Sequence, residues 1–71
     1  MADDVHGRLT AVSEDLADRA MELLRAALRT RDDDEKVRLK LQEKRVTRAR
    51  RSVDKAIALL AETNDPDANE D

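Results

Sequence analysis

The chain has no cysteine, no phenylalanine, tyrosine or tryptophan, and only one glycine and one proline among its 71 residues. Without cysteine there is no disulfide framework, no thiolate metal site and no thiol chemistry, which leaves a reducing, cytoplasmic setting as the expected one. Without aromatic rings there is nothing to stack on nucleic-acid bases. The longest uninterrupted apolar run, Ala56-Ile57-Ala58-Leu59-Leu60-Ala61, is six residues long and cannot span a bilayer. The opening stretch, MADDVHGR, lacks the basic start and the apolar segment of a signal peptide, so no membrane association is expected.

Large apolar side chains are also scarce. Of 28 apolar residues eleven are alanine, and apart from Met1 only sixteen larger ones remain: nine Leu, five Val, Ile57 and Met21. A lone chain of this size therefore has a thin core, and a second chain or a partner is expected to supply the rest.

Charge is abundant, at 44% of residues, and the net value of −3 conceals a division along the chain. Asp32-Asp33-Asp34-Glu35 carries −4, residues 36–55 carry +7, and residues 62–71 carry −5. A basic segment is bracketed by two acidic clusters.

Apolar residues recur at intervals of three and four nearly throughout, which predicts helix. Val5, Leu9, Val12, Leu16, Ala20, Leu23 and Ala27 form one stripe, and Ala17, Met21, Leu24 and Leu28 a second beside it. Further on, Leu39, Val46, Val53 and Leu60 recur at seven, with Gln42, Ala49 and Ala56 three residues after the first three and Ile57 widening the face. Asp3 or Asp4, Thr10 and Ser13 are alternative N-caps for the first helix, with Ser13 read as a residue of its N-terminal part. Gly7 argues for the later start and the apolar stripe for the earlier one.

The segment between the two patterns contains neither Gly nor Pro, so a single long helix has to be weighed against a turn. Aspartates favour caps and first turns over helix interiors, and Asp32-x-x-Glu35 has the form of a capping box. Phase points the same way. Leu23 and Leu39 are sixteen residues apart, about 160° out of register on a straight helix. The expected fold is all-α: an antiparallel, coiled-coil-like hairpin with helix 1 at about 4–31, a turn at about 31–34, helix 2 at about 35–63 and a frayed acidic tail at 64–71. With antiparallel partners numbered to sum to about 65, Val5 falls by Leu60, Val12 by Val53, Leu16 by Ala49, Ala20 by Val46, Leu24 by Leu41 and Leu28 by Val37. One hairpin leaves Met21, Leu24, Leu28, Val37 and Leu41 partly uncovered. These five are the expected interface of a homodimeric four-helix bundle.

Little in the chain points to catalysis. His6 is the only histidine, and neither Ser13 nor Ser52 has a candidate base, so no catalytic residue, cofactor or small-molecule substrate is expected. The acidic run at 32–35 lacks the spacing and glycine of a calcium loop, so no metal is expected there either. Arg31, Arg38 and Arg45 recur at seven and are read as snorkelling side chains. The feature with functional content is a basic stripe of Lys40, Lys44, Arg48, Arg51 and Lys55, at spacings of four, four, three and four, running about 22 Å along helix 2 almost opposite its apolar face. It suits a non-enzymatic interaction module, an adaptor, inhibitor or regulator that binds a protein through an apolar helix face and this basic one. Sequence-tolerant nucleic-acid binding by a dimer is the alternative reading, and a purely structural oligomer the third.

Overall fold

Two α-helices, α1 over Ala2–Arg29 and α2 over Asp33–Glu62, pack against each other as an antiparallel hairpin in a computed structural model that describes residues 2–62. The expected acidic tail at 64–71 lies outside the described residues. α1 begins early, and it runs straight through Gly7, Thr10 and Ser13. Thr10 and Ser13 are therefore not N-caps: the Thr10 hydroxyl donates 2.9 Å to the His6 carbonyl one turn back, and Ser13 turns inward. A side chain at Gly7 would meet nothing within 4 Å, so this glycine answers no steric demand.

The connection is only Thr30-Arg31-Asp32, shorter and earlier than the turn expected from composition. Asp32 is the N-cap of α2. Its carboxylate accepts from the Asp34 and Glu35 amides at 2.9 and 3.3 Å, and its carbonyl accepts the first helical hydrogen bond, from the Lys36 amide, at 2.9 Å. Glu35 completes the box indirectly. The Asp32 amide donates to the Thr30 hydroxyl at 3.2 Å, and that hydroxyl donates to the Glu35 carboxylate at 2.5 Å. Thr30 also ends α1, its amide donating to Ala26 at 3.0 Å. One side chain thus closes one helix and helps open the next. No described residue adopts a positive φ, which is why the turn needs no glycine.

The helices meet along a seam with a period of three and a half. On α1 it is Leu9, Ser13, Leu16, Ala20, Leu23 and Ala27, continued by Thr30 in the connection, and on α2 Lys36, Leu39, Glu43, Val46, Arg50, Val53, Ile57 and Leu60. All are buried or half-buried except Arg50. The expected stripes are corrected here. Val5 and Val12 lie off the seam and are exposed, as are Gln42 and Ala49, whereas Ser13 and Glu43 take seam positions. The physical reason is which residue completes each heptad. On α1 the apolar recurrence steps to Val5 and Val12 where the heptad runs through Ser13, and on α2 the seam takes the fourth residue after Leu39 and Val46 and not the third; Ser13, Glu43 and Arg50 hold these positions and, being polar, do not register as apolar repeats.

The register itself agrees with the arithmetic of the sequence. Ser13 bonds Arg50 and Asp54, and Thr30 bonds Glu35, pairs whose numbers sum to 63, 67 and 65. The expected layers of Leu24 with Leu41 and Leu28 with Val37 are not inward layers, since all four side chains are exposed.

Coverage is slight. Among the described residues only Leu23 and Ala27, at 4% and 1% exposure, are buried apolar residues, and α2 buries none. Eight of the sixteen larger apolar side chains are exposed: Val5, Val12, Met21, Leu24, Leu28, Val37, Leu41 and Leu59. The radius of gyration, 16.4 Å, exceeds the roughly 11 Å of a globular chain of this length, and the extents of 54 × 24 × 12 Å describe a rod one layer thick.

Truncating Leu23 to alanine is expected to lower stability by about 2–3 kcal/mol in urea unfolding followed by circular dichroism. Asp32→Ala is expected to lose about 1 kcal/mol in the same measurement, because two amides at the start of α2 lose their acceptor.

Candidate interaction surfaces

The five residues of the basic stripe, Lys40, Lys44, Arg48, Arg51 and Lys55, are all exposed on α2. The seam explains why. Lys44 and Arg51 stand one position past seam residues Glu43 and Arg50, and Arg48 and Lys55 two past Val46 and Val53, so packing α2 on α1 turns all four outward. The line has an apolar beginning. Val37, Leu41, Lys44, Arg48, Arg51 and Lys55 follow one another at four, three, four, three and four, which makes one continuous stripe with two apolar side chains at the turn end and four cations beyond.

Along this stripe an open concavity of about 370 Å³ is lined by Glu43, Lys44, Thr47, Arg48 and Arg51. Glu43 is half-buried at the seam, and its carboxylate accepts from the Thr47 hydroxyl at 2.6 Å. A negative group is therefore fixed within the cationic patch. A second concavity, of about 230 Å³, lies nearer the turn between Glu35, Arg38, Leu39 and Gln42. Arg31, Arg38 and Arg45 are all exposed.

The residues expected at a dimer interface are likewise on the surface: Met21, Leu24, Leu28, Val37 and Leu41, with Leu28 the most open at 81%. They fall into two groups. Met21, Leu24 and Leu28 follow Ala17 along one flank of α1, whereas Val37 and Leu41 belong to the outward stripe of α2.

One cluster escaped the sequence reading. Ser13, 6% exposed, donates to the Asp54 carboxylate at 2.5 Å and accepts from Arg50 Nε at 3.3 Å, while Arg50 and Asp54 approach to 3.8 Å. Ser13, without a base in sequence, thus has a carboxylate beside it. That carboxylate is shared with a guanidinium, and the hydroxyl is sealed into the seam, so the arrangement fixes register and offers no nucleophile. Its signal was present in the pairing arithmetic, which sets 13 between 50 and 54, and in the unbroken spacing Leu9, Ser13, Leu16. Elsewhere, His6 is exposed within α1, and Asp32 and Glu35 are occupied in capping. Among the described residues no group of His, Cys, Asp and Glu is gathered to hold a metal ion, and no helix is long and apolar enough to cross a membrane.

No protein-family model, curated protein or solved structure matches the chain.

Ser13→Ala is expected to lower stability by about 1 kcal/mol, since it removes the donor to Asp54 and the acceptor for Arg50. A double-mutant cycle with Asp54→Ala should show the two losses overlapping by about 0.5–1 kcal/mol, and strict additivity would mean that the hydroxyl contributes nothing through this pair.

Proposed function

We propose that this chain is a non-enzymatic interaction module, which self-associates through its uncovered apolar flank into a homodimeric four-helix assembly and binds a protein partner along the outward stripe of α2. The observation that carries the reading is the stripe itself. Val37 and Leu41 supply apolar anchors, and Lys44, Arg48, Arg51 and Lys55 continue the same line with positive charge. The complementary partner is an amphipathic helix with apolar residues at one end and acidic residues along the rest, for which the anchors contribute affinity and the charges selectivity and association rate.

The same cations support a second reading, in which they lie along a nucleic-acid backbone. Two features weigh against it. The Glu43 carboxylate stands within the cationic concavity and repels phosphate, whereas a peptide with mixed polar groups tolerates it. The chain also has no aromatic side chain to stack on an exposed base.

Fluorescence anisotropy with two labelled probes separates the readings: a synthetic acidic amphipathic helix, Leu at one end and Glu along one face, and a 20-base-pair DNA duplex. Peptide binding that persists at about 200 mM salt, with duplex binding lost by that concentration, is the expected result. Arg48→Glu combined with Arg51→Glu should weaken the peptide at least about ten-fold. Binding of the duplex alone would replace this reading with the second, and binding of neither probe would leave the chain as a structural oligomer.

A further inference from the structure

The seam does not use the whole apolar surface of α1. A second line runs beside it at the same three-and-four spacing, Thr10, Glu14, Ala17, Met21, Leu24 and Leu28, and Arg31 follows in the connection just past the end of the helix. Its middle is apolar and exposed, with Met21 at 49% and Leu28 at 81%, and its ends carry opposite charges. Glu14 and Arg31, both exposed, sit nearly equidistant from the point between Met21 and Leu24. Asp18 and Arg25, also exposed, occupy the outer edge of the line on either side of the same point.

We infer that the occupant of this line is the α1 helix of a second copy, packed antiparallel about a two-fold axis that passes between Met21 and Leu24. The inference rests on the self-association proposed above and fixes its surface and register. In that register Met21 lies against the partner's Leu24, and Ala17 against the partner's Leu28, so a small side chain meets the most exposed large one. Glu14 meets the partner's Arg31, and Asp18 the partner's Arg25. The two-fold axis repeats each contact, giving four pairs of opposite charge around an apolar centre.

Other arrangements lose this match. A parallel pairing sets Glu14 against its own copy and Arg31 against its own. Sliding the antiparallel pair by one heptad in one direction presses Glu14 onto Leu24 and sets Leu28 against Thr10. Sliding it in the other moves Met21 onto Arg31. The flank of α2 on the same side carries Lys40, Lys44 and Arg51, so like charges hold the second helices apart and the contact belongs to α1. Leu41, Arg48 and Lys55, two positions past the seam residues Leu39, Val46 and Val53, face away from that contact and stay free for a partner.

Charge reversal tests the register. Light scattering across a dilution series gives the dimer dissociation constant, and circular dichroism confirms that each variant is folded. Glu14→Arg alone and Arg31→Glu alone each set two like-charged pairs across the interface, and each is expected to weaken the dimer about ten-fold. The chain carrying both substitutions has the pairs reversed and is expected to return to within about three-fold of the original, which no merely local effect of either residue would produce. Because the chain has no native cysteine, a mixture of Met21→Cys and Leu24→Cys chains reports geometry as well: mild oxidation should give the mixed disulfide in preference to either homodisulfide. A dimer indifferent to the single reversals, or one that the double reversal fails to restore, overturns this register while leaving self-association standing. A chain that stays monomeric at every concentration overturns both. Retention of acidic-peptide binding by the Glu14→Arg variant, at a dilution where light scattering shows it to be monomeric, would show that the α2 stripe acts independently of the α1 contact.

Discussion

Everything in this hairpin follows from a shortage of apolar surface set against two long helices. A helix of about thirty residues presents an apolar stripe wide enough for two neighbours, but here each has one. The seam takes the narrower, heptad part of that stripe. On α1 it alternates Leu with Ser, Ala, Ala and Thr, and the small residues admit the α2 side chains between the leucines. The wider part of the stripe is left over, and this leftover surface is what both proposals of binding draw on.

The two helices divide that resource unequally. On α1 the uncovered line is apolar in the middle and oppositely charged at its ends, a pattern that is its own complement once reversed. On α2 the uncovered line is apolar at one end and uniformly positive along the rest, a pattern that two copies cannot satisfy for each other. The proposed self-association and the proposed recognition of a different molecule are thus assigned by charge order to different helices. Glu43 sharpens the second assignment, because its carboxylate, held by Thr47, places one negative charge among the cations of α2 and makes the patch selective among anionic partners.

Most of the architecture was legible in the sequence because it rests on local rules. The helices follow from periodicity, the turn from the aspartates at 32–34, the register from the position of that turn, and the outward direction of Lys44, Arg48, Arg51 and Lys55 from their phase against Val46 and Val53. What was not legible rests on polar residues doing the work of apolar ones. Ser13, Glu43 and Arg50 complete the heptads, yet a search for apolar recurrence passes over them, taking Val12 in place of Ser13 and, by the three-residue step after Leu39 and Val46, Gln42 and Ala49 in place of Glu43 and Arg50. Thr30 was hidden for another reason: its hydroxyl bridges the Asp32 amide and the Glu35 carboxylate only once the chain has turned, a contact that exists in space before it is recognisable in spacing.

These polar seam residues also bear on why the hairpin is specific despite so small a core. An apolar seam with a seven-residue repeat can slip by one heptad with little loss, because leucine replaces valine and alanine replaces alanine. Slipping this one would carry Ser13 away from Asp54 and Arg50, strand a carboxylate and a guanidinium beside leucine and alanine, and break the Thr30 relay at the turn. Each contact is individually modest and partly exposed, so together they add little to the depth of the native state. They act on the alternatives instead. With one register left available, the charge order on the outer faces of α1 and α2 is held in a fixed relation, and the proposed pairing of α1 with a second copy and the proposed recognition along α2 both depend on it.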